Sequence, residues 1–222
     1  ITCRDWSSDV CSSDLWLGAS LPETTRRRTP TGLELFRDDG LGLLRRLPEP
    51  EHLALHWGMT MAVYPVFGHI AQQVGRLLRL QGSFTATHLQ RRVLERYCER
   101  QTVHRAARRT LRSMVDWGVL SDGDAKGHYG PGSVCPVNDR ATAVWLVEAV
   151  LRANGSTSAN LRTVCESPCL YPLRLPALNR NALQNHPRLD CQRQGLDQDV
   201  VRVRGCQGDG NGPLRRGSIA WG

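Results

Sequence analysis

The 222-residue sequence predicts a mainly helical α+β fold, on three observations. Apolar residues recur at helical spacing in three successive segments between residues 63 and 117. Each segment begins or ends at a residue that favours a helix terminus. Short apolar runs separated by Gly, Asp and Ser follow the helices, and they predict β-hairpins. The length allows one large domain or two small ones.

The charge of the chain favours a polyanionic partner. It carries 29 basic against 21 acidic residues, a net charge of +8, which suits nucleic acid or an anionic surface. All the basic residues except Lys126 are arginines, and GC-rich codon usage alone produces such a bias. The position of the arginines therefore decides more than their number.

The sequence favours a reducing compartment. No apolar run reaches the roughly 20 residues that cross a bilayer, and no secretory signal is evident. The eight cysteines contain no CxxC pair, which argues against a zinc ribbon or a thioredoxin-type site. We expect a cytoplasmic, bacterial protein without cofactor or metal, and without contact to a membrane.

The two ends of the chain differ from its middle. Residues 1–15 resemble the translation of a sequencing adapter, so we expect an artefactual leader and a missing native N-terminus. Residues 205–222 are rich in Gly and predict a flexible tail. The expected organisation is a leader at 1–15, a partly helical segment at 16–51, a first domain at 52–133, a second domain at 137–204 and a tail at 205–222.

Three helices are predicted in the first domain. A short, broken helix precedes them within residues 33–47, interrupted at Gly40 and Gly42. The first of the three carries Val63, Val66, Phe67, Ile70, Val74, Leu77 and Leu78 on one face and His69, Gln72, Arg76 and Arg79 opposite. Pro65 suits its first turn and Gly82 ends it. The second helix turns Leu89, Val93, Leu94 and Tyr97 inward and stops near Cys98.

The third helix, from Gln101 or Thr102 to Trp117, has the strongest pattern. Val103, Ala107, Leu111 and Met114 form a core-facing stripe, while Arg105, Arg108, Arg109 and Arg112 share an opposite arc of about 100°. Between residues 84 and 117 there are eight arginines against three acidic residues, a balance of +5. Like charges at this spacing repel, and a polyanion would relieve the repulsion.

A hairpin with strands at Val119-Leu120 and His128-Tyr129 follows, and the whole order resembles a winged helix-turn-helix module over about Trp57 to Tyr129. The resemblance implies binding of double-stranded DNA by the third helix in the major groove. Side chains near its start would face bases, and later arginines would face phosphates. The implied DNA-binding residues are Gln101, Thr102, His104, Arg105, Arg108, Arg109 and Arg112, with Lys126 at the hairpin tip.

The second half predicts a degenerate copy of the same module. A helix capped by Asn138 or Asp139 is followed by a helical piece at 159–165, an extended stretch at 170–176 and a short helix at 179–185. A hairpin at 189–204 completes it. Because Arg180 is the one cation of that short helix, this half suits self-association, partner docking or an architectural role better than DNA reading.

No constellation for catalysis is found, so we do not expect an enzyme. The sequence lacks the common nucleotide, hydrolase and zinc motifs. Asp122 and Asp124 are ordinary turn formers, and Cys98 with His104 lacks a third group. We expect sequence- or structure-directed DNA binding, by a regulator or an accessory subunit of a DNA-handling complex. The alternative is a winged-helix protein-interaction or scaffold module without direct DNA contact.

Overall fold

The computed structural model describes residues 33–97, 101–184, 186–194 and 198–204, without the side chains of Gln101 and Thr102. The fold is α+β and mainly helical, as predicted. The α-helices are α1 (Glu34–Arg46), α2 (His52–Val63), α3 (Pro65–Gln81), α4 (Ala86–Tyr97), α5 (Gln101–Asp116), α6 (Arg140–Ala153), α7 (Leu161–Cys165) and α8 (Arg180–Leu183). The strands are β1 (Phe84–Thr85), β2 (Leu120–Asp122), β3 (His128–Pro131), β4 (Cys135–Pro136), β5 (Ser158–Asn160), β6 (Leu173–Arg174), β7 (Leu189–Gln194) and β8 (Gln198–Val203). Short 3-10 helices cover Glu49–Glu51 and Pro168–Leu170.

A first unit runs from α3 to β3 in the order helix, strand, helix, helix, hairpin. Its antiparallel sheet has the order β1-β3-β2. Pro65 occupies the first turn of α3, and Gly82 ends that helix with a φ of 72°, which glycine adopts without strain. The Thr85 hydroxyl accepts a 3.1 Å hydrogen bond from the backbone N–H of His88 and so caps α4.

A second unit repeats this connectivity with α6, β5, α7, α8, β7 and β8, and its sheet has the order β5-β8-β7. Its helices begin and end by the same means. Asp139 caps α6 by accepting from the backbone N–H of Thr142 at 2.8 Å, and Gly155 follows that helix with a φ of 62°. Asn160 caps α7, as Thr85 caps α4. The chain therefore holds two units of one topology.

Helix α2 joins the two units into one core. Its residues from Ala54 to Met59 are all buried, and it packs against α6. The Trp57 indole donates a 2.9 Å hydrogen bond to the carbonyl of Cys169 in the second unit. A Cβ on Gly58 would lie 2.4 Å from the ring of Trp145. A helix that is apolar on every side belongs in an interior, and this one has a unit on either side.

The segment between α7 and α8 lies on the first unit. There the backbone of α3 and the 3-10 helix Pro168–Leu170 approach so closely that a Cβ on Gly75 would lie 2.1 Å from the Pro168 carbonyl oxygen. The hydroxyl of Tyr171 donates a 2.8 Å hydrogen bond to the carbonyl of Val119. The segment that leads into α8 is therefore packed against the first unit.

A buried ion network ties α1 to the second unit. Glu148 is 0% exposed, and its carboxylate pairs with Arg152 at 2.7 Å and with Arg188 at 3.0 Å. Arg188 also reaches Asp39 of α1 at 2.7 Å. Burial opposes the charge on Arg188, but the hydrogen bonds that its guanidinium donates to Glu148 and Asp39 leave its pKa raised. The carboxylate is buried only because these cations satisfy it.

Several sequence predictions are wrong in detail. Helix α1 is continuous through both glycines: Gly40 is buried in the packing, and an added Cβ at Gly42 would meet nothing within 4 Å. His69 is buried rather than exposed, since α4 covers that side of α3. The sequence predicts no helix for the segment that forms α2. That segment is apolar on every side, so its apolar residues show no helical period.

The second half differs similarly from its prediction. The piece at 159–165 begins as strand β5, and the stretch at 170–176 includes the end of a 3-10 helix before β6 pairs in parallel with β4. Pairing between strands that are far apart in the sequence leaves no local sequence signal. The proposed leader at 1–15 and tail at 205–222 lie outside the described residues.

Replacing Glu148 by Ala tests the buried network. We expect the free energy of unfolding to fall by about 3 to 5 kcal/mol, because Arg152 loses its buried carboxylate partner and Arg188 keeps only Asp39. Denaturant unfolding measures this. Glu166→Ala is the matched control, since Glu166 pairs with Arg162 at 62% and 84% exposure, and its loss should cost about 0 to 1 kcal/mol. Equal effects of the two changes would show that the network does not hold the fold.

Two glycines in helix interiors should respond oppositely to alanine. Gly75→Ala should destabilise by about 1 to 3 kcal/mol or more, because the new Cβ overlaps the Pro168 carbonyl. Gly42→Ala should stabilise by about 0.5 to 1 kcal/mol, because it adds helix propensity in open space. Thermal unfolding of both variants decides. A neutral Gly75→Ala would refute the close contact between the units.

Candidate nucleic-acid interface

Helix α5 is amphipathic, as the spacing predicted. Ala107, Leu111 and Met114 are at most 1% exposed, and Val103 is half-buried. This stripe packs toward α3, α4 and β2. The buried side of α5 therefore fixes which residues face outward.

The outward side of α5 carries Arg105, Arg108, Arg109 and Arg112, and all four are exposed. We call these four residues the arginine surface. Arg112 forms an i,i+4 ion pair with Asp116 at 3.0 Å, with the two side chains 70% and 52% exposed. Within the described ranges, no carboxylate pairs with the other three arginines. The cationic groups are thus placed in water along one line of the helix.

The remaining predicted site residues differ in their exposure to solvent. His104 is half-buried at the border of the core stripe. The helix includes Gln101 and Thr102, but their side chains lie outside the description. Lys126 is exposed in the turn of the β2–β3 hairpin, as predicted. It is accompanied by Asp122 and Asp124, also exposed, so this hairpin has a net charge of −1.

The hairpin is held rigidly against the helix pair. The N–H of Gly123 donates to the His128 carbonyl at 2.8 Å, and the N–H of Ala86 donates to the Gly127 carbonyl at 2.8 Å. Gly127 has a φ of 78°, so a residue without a side chain is required for this turn. The hairpin is therefore hydrogen-bonded to the start of α4.

Helix α4 adds cations that the sequence analysis did not include in the site. Arg91 and Arg96 are exposed, and Arg92 donates to His88 at 3.3 Å. Arg96 also stacks over the Tyr97 ring at 5.9 Å. The helical period of α4 alone would have indicated Arg96, because it lies next to Arg92 on the polar side.

The end of α4 is anchored to α3. The hydroxyl of Tyr97 donates to the Pro65 carbonyl at 3.3 Å, and the Arg96 guanidinium lies 3.5 Å from Nδ1 of His69. Burial and the nearby Arg96 lower the pKa of His69. The imidazole is neutral at neutral pH, so it tolerates the arginine beside it.

The four described cysteines are held as thiols. Burial raises the pKa of the thiols of Cys135, Cys169 and Cys191, and raises that of Cys165 to about 11. These thiols are protonated at neutral pH, whereas a nucleophile needs the thiolate. Among the described residues, no three His, Cys, Asp or Glu side chains are grouped to hold a metal ion. No helix in the described ranges is long and apolar enough to cross a membrane.

In its described residues, the second unit presents no helix face equivalent to the arginine surface. Its third helix, α8, has four residues and one cation, Arg180. A groove of about 830 Å³ lies between α1, α6 and α8, and there the opposite charges of Arg46 and Asp139 pair at 3.3 Å. Cations and anions are mixed in this groove, in contrast to α5.

Comparison of the chain with protein-family models, curated proteins and solved structures gave no match.

Buried histidines should make the fold sensitive to acid. The pKa of His56 is lowered from 6.5 to about 4, first by burial and then by His52, and that of His69 is also lowered. The stability that these neutral histidines contribute is fully present above pH 6.5 and declines as the pH falls toward 4. Below pH 6.5 the unfolded chain binds protons at these histidines that the folded chain does not bind. Each histidine contributes at most about 1.4 kcal/mol per pH unit.

Urea unfolding at pH 7 and pH 5 measures this sensitivity. His56→Gln should narrow the difference between the two pH values, whereas His128→Gln, on exposed β3, should leave it as in the wild type. An unchanged difference in His56→Gln would show that His56 is protonated in the folded protein.

Proposed function

We propose that this protein binds double-stranded DNA through the arginine surface, as a regulator or an accessory subunit of a DNA-handling complex. One observation carries the proposal: four exposed arginines lie on one arc of α5, opposite a stripe that is almost completely buried. An arginine bias from codon usage would scatter these residues around the helix. Their alignment on one arc is the feature that a polyanionic binding partner would explain.

The connectivity of the first unit supports the proposal. Its order of a helix, a strand, two helices and a hairpin, with the sheet order β1-β3-β2, resembles the arrangement of a winged helix-turn-helix. In that arrangement α5 is the recognition helix, and the major groove, about 12 Å wide, admits one helix. The arginine surface occupies the side of α5 that such docking would use.

Electrostatics favours a polyanion as the ligand. Arg105 with Arg109, and Arg108 with Arg112, are i,i+4 pairs of like charge, which destabilise an isolated helix. Guanidinium groups bind phosphate oxygens with two parallel hydrogen bonds. Each phosphate that an arginine neutralises also releases counterions, so the affinity depends steeply on salt. Asp116 satisfies only Arg112, which leaves three cations for a ligand.

The second unit suits an architectural role in this proposal. Helix α8 makes barely one turn, too short to span a groove with several side chains. The segment that precedes it is packed on α3 at Gly75. We propose that this unit supports the first one and does not read DNA itself.

A charge-matched pair of variants tests the proposal. In one, Arg105, Arg108, Arg109 and Arg112 become Ala. In the other, four exposed arginines of the second unit become Ala, namely Arg162, Arg174, Arg180 and Arg202. Both changes remove four charges, so the net charge of +8 becomes +4 in each. The readout is the anisotropy of a labelled duplex of about 20 base pairs, titrated over a range of salt concentrations.

The α5 variant should lose at least about tenfold in affinity, and its plot of log K against log salt should flatten by roughly 3, close to 0.9 for each lost phosphate contact. The second-unit variant should keep most of the affinity and slope. Equal losses in the two would indicate attraction by net charge alone. No binding to wild type at low salt would refute the proposal and favour an acidic protein as the partner.

A further inference from the structure

We infer that the arginine surface grips the phosphate backbone without selecting a base sequence, so that its substrate class is duplex DNA of any sequence. The inference rests on the proposed function and narrows it. For the part of α5 whose side chains the structure describes, it replaces the expectation that residues at the start of the helix read bases.

The exposed side chains of α5 carry the inference. From Val103 to Asp116 they are the four arginines and Asp116. The side chains of that stretch that would offer a mixture of donor and acceptor, His104, Thr110 and Ser113, are half-buried. Reading several base pairs requires different partners at successive positions: an amide for adenine, a guanidinium for guanine, an acceptor for cytosine and an apolar group for thymine. A uniform set of guanidinium groups matches the uniform charge of the backbone instead.

Asp116 pairs with the last residue of the arginine surface. Its carboxylate oxygen lies 3.0 Å from Nη2 of Arg112, in an exposed i,i+4 ion pair. The same contact engages the one acidic group on this side of the described helix. Asp116 is therefore an intramolecular partner of Arg112, and it marks the end of the cationic line.

The spacing of the arginines fits two phosphate strands. Arg105 and Arg112 are about 10 Å apart along the axis, from seven residues at about 1.5 Å each. Arg108 and Arg109 project about 100° apart, one on either side of that line. A helix lying in the major groove has a strand along each flank, so these two side chains point to opposite backbones.

Among the described residues, the neighbouring hairpin and aromatic rings are not arranged to enter the minor groove or to stack on bases. The β2–β3 hairpin has one cation against two carboxylates, which disfavours its insertion in the minor groove. The nearby aromatic rings are used internally: Tyr129 stacks on Phe84 at 5.6 Å, and Trp117 packs on Trp57 at 6.0 Å. Binding of single strands relies on aromatic side chains that stack with bases, so a duplex fits this surface better.

Titration of three unrelated duplexes of equal length tests the inference. One contains only A·T pairs, one is rich in G·C pairs, and one has mixed sequence. The affinities of the wild-type chain for all three should agree within about threefold, since phosphate contacts carry no sequence information. The single strand of mixed sequence should bind more weakly than its duplex. Selection from a random duplex library should yield no common motif.

A preference of more than about tenfold for one duplex, or a motif enriched from the library, would overturn the inference. Gln101→Ala then locates the cause, because loss of the preference in that variant would identify Gln101 as a base reader. A preference for the G·C-rich duplex that disappears in Arg105→Ala would identify Arg105 instead. Tighter binding of the single strand would overturn the choice of a duplex. Failure to bind any of the three duplexes at low salt refutes the proposed function itself, which is a different result from sequence preference.

Discussion

Two pieces of backbone meet where α3 passes the 3-10 helix Pro168–Leu170, so closely that a side chain at Gly75 would overlap a carbonyl oxygen. This contact, with α2 buried between α3 and α6, makes a single core of two units that share one topology. It also occupies the turn that precedes α8. The same packing therefore supports the first unit, which carries α5, and covers the turn that precedes α8 in the second unit.

Arginine has two opposite roles in this molecule. Arg188 is largely buried and is satisfied by Glu148 and Asp39, where its charge permits a carboxylate in the interior. The arginines of α5 stand in water, and of these Arg112 alone has a described acidic partner. The first arrangement needs no ligand, because its charges are balanced within the protein. The second leaves a cationic line whose mutual repulsion a polyanion would reduce.

The sequence predicts well whatever one helix face or one turn determines. The apolar stripe of α5 and its arginines follow from a period of 3.6 residues, and the end of α3 follows from Gly82. Prediction from the sequence fails where burial comes from every side: α2 has no polar face to mark its period, and His69 lies on the side of α3 that α4 covers. Long-range pairing, as in β4 with β6 and in the Glu148 network, leaves no local signal. The position of the β2–β3 hairpin was predictable from the sequence. The carboxylates near Lys126, however, weaken the DNA-binding role expected for that residue.

Photocrosslinking tests most directly whether the arginine surface is where duplex DNA binds. Benzoylphenylalanine at position 109 lies on this surface, and at position 162 it replaces an exposed arginine of the second unit. With a labelled duplex at low salt, our account predicts a crosslink from position 109 and little or none from position 162. Equal crosslinking at both positions, or crosslinking only from position 162, would contradict it.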